Sequence, residues 1–369
     1  MQVNKPLDPV TGAVTAIAIP PGQADTVYVG TVGGGVWKTE NATSDTPKWR
    51  PLTDQFPFLA ISALTFDVSN PNILYAATSS FSNFFEGDLA ASRGLLKTSD
   101  GGNTWTVIRN PKLEGRLIRA LVVSGQTIVV ATNLNDRETA APSGNGPDDY
   151  LFRSVDGGKT FTAINTDTAG DPLGQVTDLI AIPNSSPLTL YMGVAKKGVY
   201  RSSDAGEHWD RMNGGLEFAD QIDNNQDGHT DESGEVTAIS SRIKLAATSS
   251  GVYAAVVGKY PGLGDNVLIG LFRMDNPTTG AMWTALKLPA TPAPDGVAVD
   301  VNGNRTPGES SVPGEFYAGV NPGSQGWINF SMAVHPANPY ILYVGGDRQA
   351  VWDHGGNLAG LTMIAGRIF

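Results

Sequence analysis

The chain has 369 residues, 17% charged and 40% hydrophobic, with a formal net charge of −11 at pH 7. This size and composition suit one large all-β domain or two small ones and exclude a disordered chain. The absence of cysteine excludes a disulfide scaffold and a zinc-thiolate site. No apolar stretch reaches about 18 residues, so we expect no membrane span.

Six apolar, β-branched runs recur along the chain, and we interpret each as the innermost strand of a unit. Each run is followed by a turn rich in Pro, Asn or Ser and then by a second strand with a core like Tyr-Val-Gly. Four short strands in roughly 45–60 residues, with turns throughout, predict the blade of a β-propeller. The six runs are Ala13–Ile19, Ala60–Phe66, Leu117–Val123, Val176–Ile182, Val236–Ala246 and Ile328–Val334.

Three similar turns, called the aspartate turns below, follow the predicted third strands. They share the frame Ser/Thr-x-Asp-x-Gly-x-Thr-aromatic, and His208 replaces Thr in the third copy. The Asp can accept hydrogen bonds from backbone N–H groups further along the turn, and Gly supplies a positive φ. Three copies indicate a repeat of stacked units. Their predicted structural residues are Thr98, Asp100, Gly102, Thr104 and Trp105, then Asp156, Gly158, Thr160 and Phe161, then Asp204, Gly206 and Trp209.

The repeat predicts an all-β propeller of four-stranded antiparallel blades in a single domain over residues 1–369. We count five full blades and a partial sixth. Because an open ring exposes unpaired backbone groups, we expect either a ring with an irregular last blade or, as we favour, a chain that is C-terminally incomplete and part of a larger propeller. The predicted blades cover residues 13–52, 60–108, 116–164, 176–213, 236–286 and 328–369.

The aspartate turns resemble the Asp-box of the bacterial neuraminidase repeat. That repeat is shared by sialidases, sortilin-type ectodomains, xyloglucan-degrading glycoside hydrolases and many secreted bacterial proteins. The resemblance implies a β-propeller and an extracellular or cell-surface location, although no signal peptide is visible at Met1–Val14. In these families the Asp-box is a turn staple, so it implies no catalytic role for Asp100, Asp156 or Asp204.

Five long insertions are predicted on the face of the propeller away from the aspartate turns. Strand alternation within a blade puts the loops after strand two, and those between blades, on this face. Such loops are usually functional, so we expect any ligand there. The ligand candidates on this face are Phe84, Phe85 and Arg93; the phenylalanines could stack on sugars or form a lid. The insertions are Ser79–Arg93, Asn133–Asp149, Glu217–Glu235, Gly258–Asn266 and Pro289–Trp327.

Two of the insertions carry oxygen-rich patterns that predict Ca²⁺ ligands. The first has the order Asp-x-Asn-x-Asp-Gly, which lets side chains at positions one, three and five converge on one ion. It resembles the calcium loops of dockerin-like and thrombospondin-type repeats, although Gly234 stands at position twelve in place of the usual acid. The alternative is a solvated acidic loop. The candidate metal ligands are Asp223, Asn225, Asp227, His229, Asp231 and Glu232, and in the second pattern Asp300, Asn302 and Asn304.

Catalytic motifs are weak in the sequence. In xyloglucan-degrading relatives a catalytic Asp lies in a first-blade motif resembling Arg-Thr-Asp-x-Gly-Gly, and the similar stretch here has Val32 in its place. No spacing ties the arginines into the triad of a sialidase, and we found no cluster of Lys or Arg suited to nucleic acid. The net negative charge of the chain is compatible with a neutral glycan as ligand, whereas an anionic glycan would need a local basic pocket.

Two functions follow as hypotheses. The first is a secreted or cell-surface, non-catalytic propeller that binds a glycan or a protein through its insertion-rich face, with calcium-stabilised loops. The alternative is a sialidase-like or other glycoside hydrolase, whose acids would come from the insertions or from a further C-terminal part. The acids to test are Glu86, Asp88, Asp148 and Asp149. Two carboxyl groups facing each other across about 5–9.5 Å would decide for the enzyme.

Overall fold

The computed structural model describes residues 13–79, 92–133, 150–217, 235–260, 264–280, 282–286, 290–292, 316–318, 326 and 330–346. The chain divides into two compact units, Met1–Asn165 and Thr166–Phe369. Among the described residues, no helix is long and apolar enough to cross a membrane.

Unit one contains three four-stranded antiparallel sheets, which we call blades one to three. In each blade the strands are paired in chain order, so every connection is a hairpin. The strands are β1 Val14–Ala18, β2 Val27–Thr31, β3 Val36–Thr39 and β4 Arg50–Pro51; β5 Ile61–Asp67, β6 Asn70–Thr78, β7 Leu95–Thr98 and β8 Thr106–Ile108; and β9 Leu117–Ser124, β10 Thr127–Asn133, β11 Leu151–Ser154 and β12 Thr162–Ile164.

Unit two contains blades four and five, a separate strand pair and the first two strands of blade six. Blades four and five are paired in chain order as well. The elements are β13 Val176–Ala181, β14 Leu190–Val194, β15 Gly198–Ser202 and β16 Asp210–Arg211; α1 Glu235–Ala238, β17 Ser240–Ala247, β18 Gly251–Tyr260, β19 Gly264–Asp275 and β20 Thr284–Ala285; β21 Ala290–Pro292 and β22 Phe316–Ala318; and β23 Ser331–Val334 and β24 Leu342–Gly345.

The hydrophobic core lies between neighbouring blades. In unit one β1 is adjacent to β5 and β5 to β9, while in unit two β13 is adjacent to β17 and β17 to β23. One cluster fills the space between blades one and two, and another the space between blades two and three. Corresponding clusters join blade four to blade five and blade five to blade six. Five four-stranded blades and a partial sixth confirm the predicted fold class.

Close approach of the blades explains the glycine that ends the Tyr-Val-Gly pattern. A Cβ at Gly30 would lie 2.5 Å from the Cγ2 atom of Ile61 in the next blade. At Gly193 it would lie 2.7 Å from the backbone oxygen of Ile243, which cannot move aside cheaply. Since real Cβ contacts are not that short, these two positions hold glycine so that the next innermost strand can pack directly on the sheet.

Two sequence predictions about blade five are wrong in detail. The run Val236–Ala246 is not one strand, because α1 covers its first residues and β17 begins only at Ser240. Val236 is fully buried in the core between blades four and five, so one helical turn buries the apolar side chain that suggested a strand. The insertion Gly258–Asn266 is largely a hairpin extension, since Tyr260 of β18 pairs with Gly264 of β19.

Candidate functional site

The first aspartate turn, between β7 and β8, is closed by hydrogen bonds between near neighbours. The Oδ1 atom of Asp100 accepts from the hydroxyl of Thr98 at 2.8 Å and from the backbone N–H of Thr104 at 2.9 Å. The Thr104 hydroxyl donates to Oδ2 at 2.6 Å. The Thr98 oxygen accepts from the N–H of Gly102 at 3.0 Å, and Trp105 donates its indole N–H to the Gly102 carbonyl at 3.2 Å.

The second turn, between β11 and β12, repeats this geometry. Asp156 accepts from the hydroxyl of Ser154 at 2.8 Å, from the N–H of Thr160 at 2.9 Å and from the Thr160 hydroxyl at 2.6 Å. The Ser154 oxygen accepts from the N–H of Gly158 at 2.9 Å. Phe161 is buried at the start of the outgoing segment and packs in the core between blades two and three.

In the third turn, between β15 and β16, a histidine takes the place of the threonine. The Nδ1 atom of His208 lies 2.7 Å from Oδ2 of Asp204, while the His208 N–H donates to Oδ1 at 3.0 Å. The hydroxyl of Ser202 donates to Asp204 at 2.7 Å and accepts from Gly206 N–H at 2.8 Å. Trp209 is fully buried and donates its indole N–H to the Gly206 carbonyl at 3.2 Å.

These turns hold the carboxylates in their charged form and fix the blades to each other. Hydrogen bonds from the Thr104 hydroxyl and N–H and from Thr98 hold the pKa of Asp100 well below its usual range. The donors around Asp156 lower its pKa in the same way. Gly102 lies directly against the side chain of Leu52 in the preceding blade. A carboxylate already occupied by such local donors is suited to a structural role.

Blade one carries a longer version of the same turn. Asn41 replaces the aspartate, and its Oδ1 atom accepts from the hydroxyl of Thr39 at 2.9 Å and from the N–H of Lys48 at 2.8 Å. An amide oxygen can accept these bonds, so the turn persists without a charge.

The motif that the xyloglucan-degrading resemblance singles out lies in the turn between β2 and β3. The hydroxyl of Thr31 accepts from the N–H of Gly34 at 2.9 Å, and the indole N–H of Trp37 donates to the Gly34 carbonyl at 2.6 Å. The N–H of Gly35 reaches the carbonyl of Leu59 at 2.7 Å. Val32, at the position that the resemblance gives to an acid, is half-buried. This ordered turn therefore offers no carboxyl group of its own.

Several predicted site residues lie outside the described residues. These are the ligand candidates Phe84 and Phe85, the acids Glu86, Asp88, Asp148 and Asp149, and the metal candidates Asp223, Asn225, Asp227, His229, Asp231, Glu232, Asp300, Asn302 and Asn304.

Arg93 is described, and it stands exposed just before β7 at the insertion-rich edge of blade two. Its N–H donates to the hydroxyl of Thr78 at 2.9 Å, which fixes its backbone. Within the described ranges, no three His, Asp or Glu side chains come together as a metal site would need.

The sequence analysis missed a buried ion pair between blades four and five. Asp178 is 4% exposed, accepts from the Lys244 Nζ atom at 3.0 Å and accepts from the N–H of Leu245 at 2.8 Å. The partners are 66 residues apart in the chain. The signal in the sequence was Asp178 itself, an acid within the otherwise apolar run of β13. The sequence alone does not tell which basic side chain pairs with it.

Known proteins similar to this chain are named for polysaccharide hydrolysis. No family model matches the chain. A protein named xyloglucanase from a Paenibacillus species is 28% identical over 235 residues, 56% of this chain and 22% of that protein. A xyloglucanase from Acetivibrio thermocellus is 26% identical over 218 residues, 52% of this chain and 24% of its own length.

A longer match covers most of the chain. A probable oligoxyloglucan-reducing end-specific xyloglucanase from Neosartorya fischeri is 25% identical over 341 residues, 90% of this chain and 37% of that protein. The chain therefore spans between about a quarter and two fifths of the length of these relatives.

Solved structures support the fold. The GH74 xyloglucanase from Xanthomonas campestris superimposes with a TM-score of 0.54 and 18% identity, over 92% of this chain and 42% of that one. The GH74 enzyme from Niastella koreensis gives 0.50 and 19%, over 91% of this chain and 41% of that one. At this identity the likeness shows a shared propeller fold.

The first functional hypothesis, a non-catalytic binding propeller, is wrong on this comparison. The sequence relatives are named as xyloglucanases, which are glycoside hydrolases. They support the alternative hypothesis of a hydrolase, even though Val32 stands where the resemblance places an acid.

Proposed function

We propose that this protein is a glycoside hydrolase that cleaves xyloglucan or a closely related polysaccharide. The observation that carries the proposal is the similarity to xyloglucanases, which reaches 28% identity and in one relative extends over 90% of the chain. The propeller fold, shared with a GH74 xyloglucanase, supports it. A polysaccharide substrate in turn favours an extracellular or cell-surface location. We also propose that the aspartate turns are Asp-boxes of the neuraminidase repeat, a proposal that their repeated hydrogen bonds support.

The catalytic acids of this protein are proposed to lie in the insertions. Most glycoside hydrolases need two carboxyl groups, and the turn around Val32 provides none. The insertions before Arg93 and before Tyr150 each follow the second strand of their blade, as that turn does. These two insertions hold six carboxyl groups, and the four acids proposed for the test are Glu86, Asp88, Asp148 and Asp149.

Reducing-end release from xyloglucan tests the hydrolase. The wild-type chain is expected to release reducing ends. At least one of two double variants, Asp148→Asn with Asp149→Asn or Glu86→Gln with Asp88→Asn, is expected to lose activity by about a hundredfold or more. General acid catalysis contributes about that much to the rate. The matched control is Asp45→Asn, an exposed acid of blade one. Full activity in both double variants would refute the assignment of the acids. No release from xyloglucan or other β-glucans would refute the hydrolase itself.

We further propose that Ca²⁺ stiffens the two oxygen-rich insertions around Asp227 and Asn302. The support is the spacing of oxygen ligands in the sequence. Calcium is expected to raise the thermal midpoint of the chelator-treated protein, since a ligand that binds only the folded state stabilises it. Asp223→Ala with Asp227→Ala should reduce this increase, while Asp45→Ala should leave it unchanged. An increase of the same size in all three proteins would count against these ligands.

A further inference from the structure

A group of basic side chains meets at the insertion-rich edge between blades two and three, in a protein whose net charge is −11. We call Arg93, Arg109, Lys112 and Arg116 the basic edge. Arg93, Arg109 and Lys112 are exposed, and Arg116 is half-buried. The sequence analysis saw no Lys or Arg cluster because these residues are spread over 24 positions and come from two separate segments, one before β7 and one between β8 and β9.

Backbone contacts bring the two segments together. The N–H of Ser92 donates to the carbonyl of Arg116 at 2.8 Å, and the N–H of Gly115 donates to the Ser92 carbonyl at 3.1 Å. A Cβ on Gly94 would lie 3.4 Å from the Cα atom of Arg109, so the segment after Arg93 runs directly against the end of β8. The cations therefore belong to one surface that the fold assembles.

The surface is also ordered. Two tight turns shape the loop between β8 and β9, and the fully buried side chain of Leu113 anchors it. The Nε atom of Arg116 donates to the carbonyl of Lys112 at 3.0 Å, and its guanidinium lies 4.7 Å from the ring centre of Phe152. These contacts fix the end of the loop against blade three. The exposed Glu114 is the acid in this loop, and the loop's three cations outnumber it.

We propose that the basic edge binds the carboxylate groups of an acidic polysaccharide, one that carries uronic acid residues. The proposal rests on the hydrolase function proposed above, because a polysaccharide held on this face would lead to the insertions with the candidate acids. Arginine presents a planar fork that matches a carboxylate in two parallel hydrogen bonds. Duplex nucleic acid carries one charge per about 1.7 Å of its axis, a higher density than one carboxylate per sugar, so the rest of this acidic chain repels it more strongly.

Affinity electrophoresis in polygalacturonate tests the proposal, with fully methyl-esterified polygalacturonate as the uncharged comparison. The wild-type chain is expected to bind the acid form, more weakly as salt rises, and to bind the ester at least about tenfold more weakly. Arg93→Glu with Arg109→Glu and Lys112→Glu should weaken binding of the acid form by about tenfold or more, since three exposed attractions, each modest, become repulsions.

The matched control reverses three exposed cations outside the basic edge, Lys48→Glu, Arg50→Glu and Lys196→Glu. It makes the same change in net charge and should keep affinity within about twofold. Equal weakening in both variants, equal binding of the ester, or equally tight binding of duplex DNA would overturn the proposal. Xyloglucan hydrolysis without polygalacturonate binding would leave the proposed function standing and refute this inference. Polygalacturonate binding without hydrolysis would support this inference and refute the proposed hydrolase.

Discussion

At the scale of single residues, the aspartate turns show how a charged side chain can hold a repeat together. Each carboxylate accepts hydrogen bonds from the residue two positions before it and the residue four positions after it, so its partners are fixed by the local sequence. Because these bonds favour the charged form, the pKa of Asp100 and Asp156 lies below the usual value. That shift links the turns to the pH dependence of stability.

We expect Asp100→Ala to lower the thermal midpoint at pH 7 by an amount that shrinks in acid. The folded pKa lies below the unfolded value of about 4, so the carboxylate contributes its full stability above that value. The contribution is lost as the pH falls from about 4 through the folded pKa. Thermal melts between pH 7 and pH 2 measure this. Asp54→Ala, at an exposed acid outside the aspartate turns, is the control. A pH-independent gap between Asp100→Ala and wild type would contradict the prediction.

At the scale of strands and blades, hydroxyl groups join neighbouring sheets. In blades one and four the innermost strand has an extra residue at a β-bulge, and this residue is Thr15 or Thr177. The Thr177 oxygen lies 3.0 Å from the backbone N–H and 3.0 Å from the carbonyl oxygen of Ile243 in the next blade. The bulge thus frees a side chain to satisfy backbone groups of another sheet.

Replacing Thr177 with valine is expected to cost about 2 kcal/mol of unfolding free energy. The side chain is 5% exposed, so the N–H of Ile243 would lose its partner in a place that water does not easily reach. Thr177→Ser keeps the hydroxyl and should cost less. Urea unfolding of both variants measures the difference. Equal stability of the valine and serine variants would show that the hydroxyl does not matter.

The sequence predicts local features of this fold well and contacts between blades poorly. The strands and the aspartate turns follow from period-two patterns and from partners two to four residues apart. The pairing of Asp178 with Lys244 depends on how two blades pack, and the basic edge depends on two segments meeting. The helix at Val236 was not predicted, because a pattern of four residues is too short to distinguish one helical turn from the start of a strand.

At the scale of the molecule, negative charge and exposed apolar surface act against each other. The net charge of −11 and a pI of about 4.8 mean that chains repel at neutral pH. On and just after β1, however, Val14 and Ile19 are each 53% exposed and Ile17 is 63% exposed. Neighbouring apolar side chains that remain in contact with water favour association with another surface.

We therefore expect the chain to self-associate as the pH falls from 7 toward 4.8, where repulsion vanishes. Ile17→Thr with Ile19→Thr should reduce the association, because it removes apolar area from the patch without changing the charge. Val155→Thr is the control, since Val155 is 57% exposed but stands alone in the second aspartate turn. Light scattering across this pH range gives the molecular mass. The prediction fails if the wild-type chain stays monomeric down to pH 4.8. It also fails if the Val155→Thr variant associates as little as the double variant, because the effect would then not be specific to β1.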